Sequence, residues 1–403
     1  MFKTGILKEL QELGFIKDIA KPEKLEQILN SEQITLYCGF DLTAKSLHVG
    51  NLMQIMFLRK FAKYGHKIIL LLGGATTKIG DPTGKDETRK VLSSEEIEEN
   101  KKGILENFSN FFDLKSGNVT VLNNNDWYKD INYIDFLRDV GMHFTVNRML
   151  AMESVKQRLA KESSMNFVEF NYMLLQGYDF AYLNKNYNCI LQIGGSDQWG
   201  NITEGMELCS RMNKTETFAL TSPLITRSDG QKMGKSLGGA VSLSSALTTS
   251  FEYFQYFRNV PDEDVSKMLK YYTDLPLSKI EELSNLKGKE VNIAKEILAF
   301  ETTKLCRGVE EANKALETAK EVFVQNKAPE SEELKIEIAK GGALLQELLK
   351  NGVILSMKEG KTLLSSGAIK LNENLLNSSI IFQEAGEFKL SLGKKRHYKI
   401  VVS

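Results

Sequence analysis

This 403-residue chain has no charge of one sign to spend: its 52 Lys and Arg balance 52 Asp and Glu. No global basic field draws nucleic acid to it, so an RNA partner would have to meet local patches. Only four cysteines occur, Cys38, Cys189, Cys209 and Cys306. None forms CxxC, and the four histidines show no metal-ligand spacing. That argues against a disulfide scaffold or a zinc site, and reduced thiols in the cytoplasm are the simplest account. The longest apolar run, 68–72, is far too short to span a bilayer. The N-terminal 1–10 mixes charge with apolar residues, as an amphipathic helix does and a signal peptide does not. There is no fixed-period repeat and no GxGxxG turn after the first strand pattern. No Ser-His-Asp or Cys-His arrangement stands out, and no carboxylate pair has an evident acid/base partner. The chemistry left is group transfer by positioning and charge stabilisation.

What is present is organised in blocks. Strand patterns at 34–38, 67–72, 119–122 and 189–193 each end in glycine or a polar turn. Near-continuous apolar strands separated by helical stretches predict a parallel sheet covered on both faces. Ligands bind such sheets at the carboxyl ends of the strands, where the polar signals of this chain cluster. From about Ser244 the texture is helix after helix, with Val291, Ala294, Leu298 and Leu305 at helical spacing. The expected domains are an α/β catalytic domain over 1–225, with a dimer-forming insertion at about 125–165, and a helical domain over 226–324. A polar linker over 325–342 and a small α/β unit over 343–403 follow. In that last unit a helix over 343–350 precedes a capping box at Ser356-Met357-Lys358-Glu359. A strand at 368–371 and the turn Asn372-Glu373-Asn374 come next. Lys394-Lys395-Arg396 is either a solvated strand edge or an RNA contact.

Two short motifs carry the phosphate chemistry. His48-Val49-Gly50-Asn51 opens a helical stretch after the first strand, so His48 and Asn51 share a face at the helix start. Free N–H groups and a positive partial charge there suit an anion, and Gly50 admits a ligand to the backbone. Alone, HxGN is usually a polar cap. Lys232-Met233-Gly234-Lys235-Ser236 sets two ammonium groups beside glycine, where they can neutralise charge that builds on a pyrophosphate. Alone, it is usually a solvated, flexible loop.

Other groups point to a polar small molecule. Tyr172, Gln176 and Asp179 form one line on one helical face amid apolar residues, and need partners from a ligand or an internal network. In Gln192-Ile193-Gly194-Gly195-Ser196-Asp197-Gln198 the glycines admit a ligand to the backbone, Asp197 can accept from ribose hydroxyls, and Gln198 can bond an amino acid. Asp81, after Gly73-Gly74-Ala75-Thr76, can hold an ammonium group. Lys85 and Arg89 follow, spaced for phosphate contact if that loop is helical.

Taken together, these motifs resemble bacterial-type tyrosyl-tRNA synthetases, of the class I aminoacyl-tRNA synthetases, over essentially the whole chain. The match is densest in Tyr37-Cys38-Gly39-Phe40-Asp41-Leu42-Thr43-Ala44, 48–51, 73–84, 172–179, 192–201 and 232–236. The resemblance implies a Rossmann-like catalytic domain, a helical anticodon-binding domain and an S4-like RNA-binding domain. It implies that Tyr37 and Asp179 bind the phenol hydroxyl of L-tyrosine. Asp81, Tyr172 and Gln176 would hold its ammonium group, and Gln198 would contact its carbonyl. Gly39, Asp41, Gly50, Gly195 and Asp197 would surround ATP. Thr43, His48 and Asn51 would bind phosphate from one side, and Lys85, Arg89, Lys232 and Lys235 from the other. ATP with Mg²⁺, tRNA(Tyr) and a cytoplasmic homodimer follow, with no protein-held metal and no membrane. The dimer would use the cluster Met142, Phe144, Met149, Leu150 and Met152, which pattern alone fits equally to an internal core.

The sequence departs from the family in three places. Asn51 replaces a common histidine, Gly234 replaces the serine of the KMSKS loop, and Asp86 follows Lys85 where some relatives have lysine. The S4-like region has Lys358 and Lys361 in place of an arginine-rich helix. Two other readings are a tryptophan-specific relative and a synthetase-derived RNA-binding protein. The Tyr37–Asp179 pair argues against the first, and the intact lysines and pocket against the second.

Overall fold

The computed structural model describes the chain except residues 1, 84–91, 162–164, 226–227, 229–234, 237–238, 326–333, 352, 355–356, 377, 394–395 and 403. The chain divides into two compact units, 1–316 and 317–403.

The first unit is built on a six-stranded sheet. Its strands are β1 (Asp18–Ile19), β2 (Thr35–Phe40), β3 (Lys67–Leu72), β4 (Val119–Asn123), β5 (Cys189–Gly195) and β6 (Phe218–Ser222). The order is β1-β6-β5-β2-β3-β4, parallel except for β1. The four expected strands appear within a residue or two. Five of the six residues of β3 and six of the seven of β5 are buried, which is why their sequence runs apolar without alternation. Two strands escaped the sequence reading. β6 is wholly buried, but ends in Thr221 and Ser222 and breaks the apolar run. β1 is two residues long and pairs antiparallel at the edge.

The strand order fixes where a ligand can go. From β2 the chain builds outward through β3 and β4, then returns to add β5 and β6 on the other side. The order therefore reverses between β2 and β5, and the crevice at their carboxyl ends is the favoured site in an open α/β sheet. Tyr37 on β2 lies opposite Gln192 on β5 in the register.

Helices Ser250–Arg258, Val265–Tyr272, Leu277–Ser284 and Val291–Arg307 follow, as the sequence texture indicated. Ala294 and Leu298 bury one face of the last of these. The short strands β7 (Lys235–Ser236) and β8 (Gly239–Ala240) pair antiparallel just before them.

The second unit contains a five-stranded sheet. Its strands are β9 (Leu334–Ile338), β10 (Ile369–Leu371), β11 (Asn374–Leu375), β12 (Gly386–Leu392) and β13 (Arg396–Val402), in the order β11-β10-β12-β13-β9. Helices Leu344–Lys350 and Met357–Ser365 contribute to its core with Ile369, Leu390 and Ile400. The Asn372-Glu373 turn between β10 and β11 has positive φ at both residues, which suits the twist of a tight hairpin. Within the expected linker at 325–342, residues 334–338 form β9, parallel to β13. Its Leu-Lys-Ile-Glu-Ile alternates, with Ile336 and Ile338 buried, and the charged residues between them gave it a polar look. Ser356 of the expected capping box, and Lys394 and Lys395 of the basic cluster, lie outside the described residues.

Candidate functional site

The helix Tyr172–Tyr187 carries Tyr172, Gln176 and Asp179, which the sequence placed on one line. It packs closely on the helix Trp199–Leu208: a Cβ on Gly205 would come within 3.1 Å of Phe180 Cβ. Phe180 in turn sets its ring 5.3 Å from that of Tyr37. Asp179 is only 3 % exposed. Its Oδ1 accepts from Trp127 Nε1 and its Oδ2 from Asn124 Nδ2, both at 3.0 Å. Burial pushes its carboxyl up to about 7, against the opposing effect of these donors. Tyr37 is 1 % exposed, and its hydroxyl is buried with no hydrogen-bond partner. Burial and then the Asp179 charge hold that phenol well above its ordinary range. A buried unpaired hydroxyl costs about 1–3 kcal/mol, which a ligand's hydroxyl could offset.

Asn124 and Trp127 were missed as site residues. Asn124 also accepts from Ala75 N at 2.8 Å and donates to Thr76 Oγ1 at 3.0 Å, tying the β3 turn to Asp179. The available signal was their place just after β4, at the ligand-binding end of the sheet; Asn123-Asn124-Asn125 reads instead as a turn. Gln192, buried with Oε1 unpartnered, was quoted in its motif without a role.

A second cluster joins residues more than a hundred positions apart. Asp81 Oδ2 accepts from Gln198 Nε2 at 2.8 Å, and its Oδ1 from Thr83 N at 2.9 Å. Gln198 Oε1 accepts from Asn201 Nδ2 at 3.2 Å. Asp197 is raised by burial and then by the Asp81 charge. A Cβ on Gly195 would stand 2.5 Å from Asp197 Oδ1, so a larger residue there would displace the Asp197 carboxylate. Gly39 is different: a Cβ there meets nothing within 4 Å, leaving exposed backbone at the end of β2. Tyr172 is buried, Gln176 and Asp41 are half-buried, and Thr43 is exposed.

The third cluster starts the helix Val49–Lys63. His48 is its N-cap: Nδ1 accepts from Gly50 N at 2.9 Å, while Asn51 Oδ1 accepts from His48 N at 3.1 Å. The polar-cap reading of HxGN is therefore true. The cap engages one acceptor atom of each side chain, Nδ1 of His48 and Oδ1 of Asn51, and involves neither His48 Nε2 nor the Asn51 amide nitrogen.

Lys85, Arg89 and Lys232 lie outside the described residues, and Lys235 is described only by its backbone in β7. The supposed interface cluster divides. Met142 is 72 % exposed and Leu150 is exposed, whereas Met149 and Met152 are buried with Val155, Met173 and Leu174, and Phe144 packs against them. Tyr133, Ile134, Val146 and Phe167, in the same part of the sequence, are also exposed. All four cysteines are buried and unbridged. Among the described residues no helix is long and apolar enough to cross a membrane, and no group of three or more His, Cys, Asp or Glu is placed to hold a metal ion.

A family model described as tRNA synthetases class I (W and Y) matches residues 29–324. A tyrosine–tRNA ligase of Wolbachia sp. subsp. Brugia malayi is 46 % identical over 414 aligned positions, covering 100 % of this chain and 99 % of the relative. That of Ruegeria pomeroyi is 46 % identical over 98 % of this chain and 97 % of its own. The crystal structure of a C-terminally truncated mitochondrial tyrosyl-tRNA synthetase of Aspergillus nidulans is 29 % identical, with a TM-score of 0.72, and covers 80 % of this chain and 95 % of its own. The tyrosyl-tRNA synthetase of Archaeoglobus fulgidus, solved with L-tyrosine, shares the fold at 18 % identity and a TM-score of 0.58, over 77 % of this chain and 100 % of its own.

Proposed function

The chain belongs to the class I tRNA synthetases of the tryptophan and tyrosine family, and from that premise we infer that it is a tyrosine–tRNA ligase. The carboxylate of L-tyrosine attacks the α-phosphorus of ATP, pyrophosphate leaves, and tyrosyl-adenylate forms. A hydroxyl at the 3′ end of tRNA(Tyr) then attacks the tyrosyl carbonyl and AMP leaves. Mg²⁺ enters with ATP as part of the substrate.

The observation that carries the tyrosine assignment is the partnerless buried hydroxyl of Tyr37 beside the buried carboxylate of Asp179. A phenol hydroxyl can donate to the carboxylate and accept from Tyr37. Asp81, Tyr172 and Gln176 then receive the ammonium group, and Gln198 lies against the reacting carboxyl. Gly39, Asp41, Gly50, Gly195 and Asp197 surround the nucleotide. Thr43, His48 and Asn51 donate to the phosphates, opposed by Lys85, Arg89, Lys232 and Lys235. No side chain becomes covalently attached. The rate comes from alignment and from donors that meet charge as it develops on the pyrophosphate.

In this reading the helices after Ser250 meet the anticodon arm, and the S4-like second unit adds RNA contacts. The enzyme works in the cytoplasm as a homodimer through the exposed apolar face around Ile134, Met142 and Phe167. ATP–pyrophosphate exchange with each of the twenty amino acids tests the assignment. Tyrosine alone should support exchange. Exchange with tryptophan would favour the related specificity, and none at all would favour an RNA-binding descendant.

A further inference from the structure

The segment that follows β8 is held from two sides. On one side it pairs with the start of the HxGN helix: Val49 N donates to Val241 O at 2.9 Å and Leu243 N to Leu47 O at 2.8 Å, bridging Ser242 with His48. Ser242 Oγ also bonds Ser46 Oγ at 2.8 Å, and Ser46 bonds Asn107 Oδ1 at 2.8 Å. On the other side stands Arg307, the last residue of the helix Val291–Arg307. Its guanidinium donates to the carbonyls of Leu243, Ser242 (3.1 Å) and Thr248 (3.3 Å). It also sits 5.2 Å from the centroid of the Tyr253 ring. Three carbonyls of one short segment thus converge on one planar fork, a task lysine's single ammonium performs poorly. The residue before Val241 is Ala240, the register partner of Lys235 in the β7–β8 hairpin.

We propose that Arg307 is a positioning residue for the first reaction step. By clamping residues 242–248 it fixes where the hairpin carrying Lys235 stands against the helix start at His48. This rests on the reading above, in which Lys235 and His48 serve the same phosphates. Arg307 touches no substrate. It acts through the backbone of a segment whose far side is already bonded to the phosphate-binding helix, and it anchors that segment to the helical region.

The test uses the full chain with Arg307→Met, which keeps the apolar stem, and Arg307→Lys, which keeps the charge should the first fail to fold. Exchange rates are normalised to folded protein, and tyrosine affinity is read by intrinsic fluorescence. Arg307→Met should lose on the order of tenfold in adenylate formation, with Arg307→Lys between it and the parent. Tyrosine affinity should stay within about twofold, because only the phosphate side is displaced. The deciding measurement is Lys235→Ala combined with Arg307→Lys. If Arg307 acts through the hairpin, the double variant is no slower than Lys235→Ala alone. Full multiplication of the two losses, or a lowered melting temperature with the parental rate per folded molecule, overturns the proposal. A different result separates the underlying reading: no tyrosine-dependent exchange in the parent, or a parental rate in Lys235→Ala, overturns the assignment of the site and the clamp's role with it.

Discussion

Trp127 donates its indole N–H to Asp179 Oδ1 at 3.0 Å, across 52 residues of sequence, so the carboxylate expected to read the substrate hydroxyl is held from behind. Its ring also stacks on Tyr182 at 4.4 Å. Trp127→Phe keeps most of the stack and deletes the donor. A buried acceptor left short of a partner costs about 1–3 kcal/mol, so KM for tyrosine should rise roughly tenfold while kcat for exchange holds. Asn124→Ala should act alike and add some instability, since Asn124 also ties down Ala75 and Thr76. An unchanged KM for tyrosine in both variants would remove Asp179 from substrate recognition.

Asp179 also predicts a pH dependence of stability. Its folded carboxyl titrates at about 7, against an ordinary value of 3.8, because burial disfavours the charge. Between those values the folded protein keeps a proton that the unfolded chain has released. Stability from this group is therefore greatest below pH 4, declines as pH rises toward 7, and is level above that. Melting temperature measured from about pH 4.5 to about pH 8 should show this decline in the parent. Asp179→Asn should lose that component of the slope. Parallel curves for the two proteins would mean the carboxyl stays ionised.

These two cases show what the sequence could and could not reveal. β3 and β5 were legible because burial on both faces writes itself as a run of apolar residues. His48 and Asn51 were legible because a helix start packs its chemistry into four consecutive positions. Asp179 was legible as one of three polar groups lined up on one face of a stretch rich in apolar residues. Asn124, Trp127 and Arg307 were not, because each gets its role from partners about fifty or more residues away, and no local period records such a contact. β9 was hidden for the opposite reason: its alternation is local, but five residues of it beside a polar stretch read as linker.

Lys235→Ala should slow tyrosyl-adenylate formation about a hundredfold, equivalent to roughly 3 kcal/mol of lost transition-state stabilisation. Tyrosine affinity should be almost unchanged, because the ammonium meets pyrophosphate only as its charge builds. Pre-steady-state fluorescence separates the two quantities. A large loss of tyrosine affinity with normal adenylate formation would contradict the assignment.

The second unit has its own core and its own sheet, and the proposed function makes it a module concerned with RNA and not with the first step. Cutting the chain after Lys327 removes β9 together with its partner β13, so no strand is left unpaired by the cut. The helix Val309–Gln325 remains whole. ATP–pyrophosphate exchange should therefore survive, while tyrosylation of tRNA(Tyr) falls sharply. The residual tRNA binding should weaken less steeply with added salt, because fewer lysines displace counterions from phosphates. Charging at the full rate would deny the module its RNA role. Loss of exchange as well would show that residues beyond 327 support the catalytic fold.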